Sequence, residues 1–283
     1  MKKGLVITLV AGLLAGGWAA ARTPEPLRTL RADTDPHWEL KLGIESFTDV
    51  ELDEADQFDG YTATAEATIP FADRFRLRIA YPFKTDGDAT IKDDQPAFPG
   101  QSIDIEGNGG VYDFLTFTFE HQLSFAEEKG YDLGWYLGGG TKADRLETTK
   151  YDPWDRTYDV FNHTGNLIHG GVRYDRRHGF GEVLANLGAR YYFDSDDIYP
   201  GGNKDGFLAL DLRAAVLFSP WHQLYPVIEL TYLGDLSDLN QLSLIPQLLL
   251  SLGNHLELKA GAVVGLGGTG NQLGGLAQMV VYF

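Results

Sequence analysis

Polar and apolar side chains alternate with a period of two through most of this chain, and that regularity leaves few folds open to it. In 256–266 the even positions Leu256, Leu258, Ala260, Ala262, Val264 and Leu266 are all apolar, while the odd positions include Glu257, Lys259, Gly261 and Gly265. In 242–252 the even set is Leu242, Leu244, Pro246, Leu248, Leu250 and Leu252, opposed by Ser243, Gln247 and Ser251. A helix would scatter these residues around its circumference, whereas a strand puts each set on one face. The pattern recurs at 38–47, 61–70, 74–83, 114–123, 131–140, 166–174, 182–193, 207–218, 223–233 and 273–283, making twelve segments.

A soluble β-sandwich also alternates, but its apolar face needs a second sheet to cover it. Three features favour a closed barrel in a membrane instead. Connections alternate in length: Ala72-Asp73, Ser124 to Gly130, Arg176 to Gly179, Ser219 to His222 and Gly253-Asn254 are tight. Most of those between, such as 48–60, 84–110, 142–163 and 194–206, are longer, as expected of short periplasmic turns and long outer loops. Aromatics collect at strand ends, with Tyr81, Phe83, Tyr191, Phe193 and Tyr232 at the outer ends and Trp38, Phe71, Phe75, Tyr174, Phe218, Trp221 and Phe283 at the inner ones. Rings with a polar edge prefer the boundary between hydrocarbon and water, so two belts are expected. Finally, Ala277, Met279, Val281 and Phe283 lie on one face of the last segment. Such an ending resembles the C-terminal signal by which the barrel assembly machinery recognises outer-membrane barrels. The predicted fold is therefore all-β, a transmembrane antiparallel up-and-down barrel of about twelve strands.

The start of the chain fits export. Lys2 and Lys3 precede an apolar stretch from Gly4 to Gly17, and Ala19, Ala20 and Ala21 supply small residues for cleavage. The stretch is short for a spanning helix, which needs about 20 apolar residues. The expected organisation is a cleaved signal over 1–21, a periplasmic segment over 22–36 and the barrel over 37–283, in the outer membrane of a Gram-negative bacterium. There is no cysteine, hence neither a lipid-attachment site nor a disulfide.

Charge narrows the partners. The chain has 40 Asp and Glu against 23 Lys and Arg, a net −17, which excludes nucleic acid as a plausible partner. The outer loops 48–60, 85–110, 142–163, 194–206 and 234–240 hold 23 of the acidic residues and only 6 basic ones. Asp49, Glu51, Asp53, Glu54, Asp86 and Asp88 thus belong to an acidic rim expected to concentrate cations and to share divalent ions with lipopolysaccharide phosphates. Asp86-Gly87-Asp88 with Asp93-Asp94 lacks the spaced ligands and terminal glutamate of an EF-hand, and no dedicated metal site is assigned.

Four stretches stand out within residues 102–283: Leu224-Tyr225-Pro226-Val227-Ile228-Glu229-Leu230, Leu244-Ile245-Pro246-Gln247-Leu248, 256–266 and the closing Tyr282-Phe283. On these, residues 102–283 resemble the outer-membrane barrel family named for the MetA-pathway of phenol degradation, although Gly107-Asn108-Gly109-Gly110 departs from the Gly-x-Gly-Asp usual at that point. The resemblance implies uptake of small organic molecules and fixes no substrate.

The alternation turns Glu39, Lys41, Glu45, Asp132, His169 and Arg173 inward, together with Arg76, Arg78, Glu66, Glu120, Arg190, Asp211, Arg213, Glu229, Glu257 and Lys259, the candidates for a constriction. It turns Leu77, Val216, Leu230, Leu248 and Leu258 toward lipid. About twelve strands should enclose a narrow lumen. A turn at 219–223 would place Arg213 opposite Glu229 with Asp211 one step farther along, and Arg76 and Arg78 between Glu66 and Glu120. These charges either line a selective passage for small solutes or interlock as a plug in a barrel with a structural role in the envelope. A lipid hydrolase is the third class, but the histidines sit in no local motif with serine, so no catalytic residue and no cofactor is assigned.

Overall fold

The computed structural model describes residues 23–34, 37–50, 55–91, 100, 102–107, 114–142, 146–150, 159–161, 165–193, 206–237, 239–268 and 273–283. The expected signal over 1–21 lies outside them. The described strands are β1 (Glu39–Val50), β2 (Ala55–Ala72), β3 (Phe75–Ile91), β4 (Ser102–Gly107), β5 (Leu115–Ser124), β6 (Asp132–Lys142), β7 (Leu146–Lys150) and β8 (Asp159–Phe161). They continue with β9 (Gly165–His178), β10 (Gly181–Phe193), β11 (Gly206–Phe218), β12 (Leu224–Gly234), β13 (Asn240–Leu252), β14 (Leu256–Gly268) and β15 (Leu273–Tyr282). A single helical turn, α1 (Ala126–Lys129), joins β5 to β6.

Twelve of these strands, all but β4, β7 and β8, close into an antiparallel barrel. The ring closes because β1 pairs with both β2 and β15, and β2 with β3. The Phe283 N–H donates to the Trp38 carbonyl at 3.0 Å, so the last residue is tied to the start of the first strand. Closure leaves no open edge, which hydrocarbon requires because it offers backbone groups no partner. The twelve strands coincide with the twelve alternating segments. The outer ends differ: β2 and β3 run past the expected 61–70 and 74–83, and β4, β7 and β8 extend the sheet beyond the barrel inside what read as loops. Stretches such as Thr85-Asp86-Gly87-Asp88 carry no alternating oily face that would mark them as strand.

Leu230, Leu248 and Leu258 are 43%, 52% and 40% exposed, whereas Glu229, Gln247 and Glu257 beside them in the chain are buried. That inside-out pattern is stable only where lipid replaces water on the outer face. Leu77 and Val216 lie half-buried on the same outward faces. Near the short-turn end Phe71, Phe75 and Phe119 pack at 5.5–5.9 Å, His121 stacks on Phe75 at 4.2 Å, and Trp135 Nε1 donates to His121 Nδ1 at 2.9 Å. The interior has an apolar cluster at each end. Leu184, Leu217, Tyr225, Val227 and Leu249 pack toward the short turns, and Phe114, Leu167, Tyr192, Phe207 and Leu239 toward the outer mouth.

Residues 23–34 depart from the expected periplasmic segment: they fill the middle of the barrel. A stretch without a strand leaves its N–H groups unpaired, and the inward side chains of the wall supply acceptors that bulk water would otherwise provide.

The face assignment has a direct consequence. Leu230→Arg, on the lipid side near mid-strand, should destabilise the barrel by roughly 2–4 kcal/mol, whereas Thr231→Arg, which points into a cavity, should not incur that transfer cost. Denaturant titration of the refolded variants checks the order, and equal stabilities would contradict the faces.

Candidate functional site

The inserted segment enters and leaves on the same side. Near one end Thr23 Oγ1 accepts from Arg177 Nη2 at 3.5 Å beside the β9–β10 turn. Near the other, Thr34 Oγ1 donates to the Asp73 carbonyl at 3.4 Å in the β2–β3 turn. Between them the chain rises to mid-lumen at Leu27–Leu30 and returns. Seven of the eight backbone amides from Leu27 to Thr34 donate to side-chain oxygens. Leu27 donates to Gln247 at 3.0 Å, Leu30 to Asn186 at 2.8 Å, Ala32 to Asp175 at 2.6 Å and Thr34 to Gln122 at 2.9 Å. The carbonyls are met too: Arg213 Nη1 donates to Arg28 O at 2.6 Å, Asn186 Nδ2 to Leu30 O at 2.8 Å and Arg76 Nη2 to Arg31 O at 3.2 Å.

Glu229 is the main anchor. Its carboxylate accepts from the amides of Arg28 and Thr29, from the Thr29 hydroxyl and from Gln247 Nε2. Arg31 forms a two-pronged pair with Glu182 at 3.0 and 2.6 Å. Glu25 accepts from the Arg31 amide at 2.8 Å and from Lys41 Nζ at 2.6 Å. Burial pushes the Glu25 carboxyl up, but Lys41, Arg78, Arg76 and Lys259 outweigh it and hold the group well below the usual carboxylate range. Because its folded value is depressed, its pairing is fully present above the ordinary value of 4.5 and is lost only as pH falls through that lower folded value.

The wall charges interlock around the segment. Glu120 gathers Arg76, Arg78 (3.0 Å) and Arg173 (2.8 Å); Glu66 takes Arg78 (2.6 Å) and Lys41 (2.9 Å). Asp211 holds Arg190 and Arg213, each at 2.7 Å, and Lys259 stands 3.4 Å from Glu257. Buried ion pairs contribute little net stability because desolvation offsets attraction, yet losing one partner costs about 3–5 kcal/mol. Such a network therefore fixes the arrangement more than it strengthens the fold.

Above the segment two cavities of about 270 and 240 Å³ share Thr64, Arg190, Asp211 and Arg213. Leu27 and Arg28 line the first and Leu30 the second, so the inserted apex forms part of their walls. Phe114 and Leu167 carry the outer apolar cluster down into the second. The Tyr136 ring reaches across Gly171 and Gly188, where any Cβ would collide with its hydroxyl, and the Arg173 guanidinium stacks on that ring at 4.5 Å.

All ten constriction candidates face the interior, and Arg78 bonds both Glu66 and Glu120. One pairing differs: Arg213 lies opposite Thr231, and Glu229 opposite Ala215. The reversal between β11 and β12 is closed by Trp221 and Leu224 bonding each other's backbone, which slides the register by two residues from that expected. Glu229 is thereby free of Arg213 and turns to the inserted segment. The segment also engages Glu182, Asp175, Asn186 and Gln247; Glu182, Asn186 and Gln247 stand on inward positions of the alternation, and Asp175 lies one residue past the segment 166–174. Glu25, Arg28 and Arg31 gave no signal of their own. At the rim Asp49 and Asp88 are exposed, and Asp88 lies opposite both Asp59 and Asp104. Glu51, Asp53, Glu54, Asp93 and Asp94 lie outside the described residues. His169 Nε2 pairs with the Thr118 hydroxyl at 3.0 Å; among the described residues no carboxylate meets its other nitrogen, as a triad would require.

No protein-family model and no curated protein sequence matches the chain. The resemblance read from the short motifs thus has no matching family model. Solved structures do share its shape. The COG4313 outer membrane channel from Pseudomonas putida F1 is 14% identical, over 92% of this chain and 100% of that one, with a TM-score of 0.55. The translocator domain of the autotransporter NalP from Neisseria meningitidis is 10% identical, over 99% and 95%, with a TM-score of 0.56. The transport unit of the autotransporter AIDA-I from Escherichia coli is 12% identical, over 97% of each chain, with a TM-score of 0.55. At such identities these likenesses establish the fold, that of Gram-negative outer-membrane barrels.

The chain has no native cysteine, so a single one introduced as Ala32→Cys, at a buried position of the segment, reports its exposure. Adding Glu229→Ala should speed maleimide labelling about tenfold or more, because hydrogen bonds to a charged group contribute roughly 1.5–3 kcal/mol. Unchanged labelling would mean that Glu229 does not hold the segment.

Proposed function

We propose that this protein is an outer-membrane passage for small organic solutes, closed at rest by its own residues 23–34. The observation that carries the reading is the outward chamber ending on a segment that is tied to the wall by hydrogen bonds and has both ends at the periplasmic rim. A loop inserted from one side can withdraw to that side without threading. Solute entering from outside would rest in the chamber until the segment moves. That one of the proteins sharing this fold is an outer membrane channel supports the reading. The acidic residues at the mouth, Asp49, Asp86 and Asp88 among them, would concentrate cations there and share divalent ions with lipopolysaccharide phosphates. The outward Ala277, Met279, Val281 and Phe283 would serve recognition by the barrel assembly machinery.

The ion pairs below the chamber favour a second reading, a permanently plugged barrel with a structural role in the envelope. Planar-bilayer conductance separates the two. The wild-type protein should conduct weakly. Deleting residues 23–34 should raise single-channel conductance severalfold. A deletion variant that folds but carries no more current than wild type would favour the structural reading.

A further inference from the structure

The interior of this acidic protein changes sign above the inserted segment. Among the described residues lining the two cavities, five guanidiniums (Arg28, Arg78, Arg173, Arg190 and Arg213) face three carboxylates (Glu45, Glu66 and Asp211). Behind this lining Glu120 pairs with Arg76, Arg78 and Arg173, and Glu25 and Glu229 lie against the inserted segment, so the surplus belongs to the side chains that touch the cavities. A chain of net −17 with a rim of carboxylates thus encloses a cationic chamber. Two of the buried guanidiniums are incompletely satisfied: Arg173 Nε and Arg78 Nη2 have no hydrogen-bond acceptor among the described residues, and Glu25 Oε1 stands 3.6 Å from the latter. Buried donors are normally paired, and both of these are closed to solvent, so a bound acceptor reaches them only as the guanidinium turns toward the cavity.

We propose that the chamber is a binding site for small organic carboxylates with an apolar body, aromatic acids above all. A carboxylate matches the planar fork of an arginine, which presents paired donors at the right spacing. The apolar part has its own surface, because Phe114, Leu167 and Pro82 line the same cavity as Arg78, Arg173 and Arg190. Strand order layers these groups: Phe114 and Leu167 stand toward the outer mouth, and Arg78 and Arg173 lie deeper, at the level where Leu30 of the inserted segment bounds the cavity. An acid therefore binds with its carboxylate down and its ring toward the mouth. An organic cation meets the excess positive charge, and a neutral isostere forgoes the arginines. The rim and the chamber consequently select in opposite senses, and the chamber, where charge acts across low-dielectric surroundings, sets the preference for a bound solute. The inference rests on the reading of the chamber as a solute site open to the outside.

Calorimetric titration of the folded protein in detergent with benzoate, benzyl alcohol and benzylamine tests it, folding being checked by heat-modifiable gel mobility. Benzoate should bind at least tenfold tighter than the other two. Arg173→Gln should weaken benzoate about tenfold, and Asp211→Asn, which adds one unit of positive charge, should tighten it by a similar factor. If Arg173→Gln does not fold, the wild-type comparison and Asp211→Asn decide. Benzyl alcohol binding as tightly as benzoate, or benzylamine binding more tightly, overturns the proposal. Binding in micelles requires no transport. Benzoate bound by a barrel that never conducts would leave the site standing and remove the passage, whereas conduction without preference for benzoate would do the reverse.

Discussion

The arrangement depends on side-chain oxygens of the barrel wall accepting main-chain N–H groups from a segment with no secondary structure. Gln122, Asp175, Asn186, Glu229 and Gln247 stand on five different strands, and each accepts from a backbone amide of residues 27–34. In water those amides would be solvated, so each exchange yields little net free energy. Collectively they determine position. A slide of the segment by one residue would break most of them at once and leave buried donors and acceptors unpaired, a penalty larger than any single bond is worth. The wall thus specifies one register for the insertion, much as a strand specifies its neighbour.

Charge follows from the same constraint. A twelve-strand barrel is too wide to be filled by apolar side chains alone and too narrow to hold its inward charges in bulk-like water. The pairs centred on Glu120, Glu66 and Asp211 are the resulting compromise, each carboxylate shared between two or more cations. The inserted segment supplies further partners: Arg31 meets Glu182, and Glu25 meets Lys41. Above the apex two cavities remain.

The barrel was legible because lipid imposes its signature residue by residue. Alternation in 242–252 and 256–266 fixes face and strand together, and the inward positions of Arg76, Glu120 and Glu229 follow at once. Pairing was less legible. The placement of Arg213 against Glu229 assumed a simple turn after Phe218, and the Trp221–Leu224 bridge shifted it. Such turn geometry depends on local backbone bonds that periodicity does not encode. The insertion of 23–34 was not legible at all. Its residues, including Glu25, Thr29 and Arg31, have the polar composition of an exposed linker, and what distinguishes them is the set of acceptors on β5, β9, β10, β12 and β13. What the inward faces do carry is uncharged polar side chains, such as Asn186 and Gln247, able to accept a main-chain amide.

Hydrogen–deuterium exchange of the backbone amides from Leu27 to Thr34, in the folded wild-type protein, tests the insertion most directly because it needs no substitution and no assumption about function. Protection on this irregular stretch should approach that of the barrel strands, with Asp33, whose amide has no acceptor among the described residues, exchanging faster than its neighbours. Exchange of the whole stretch at the rate of an unstructured peptide would contradict the account, leaving an open lumen with its charges facing water.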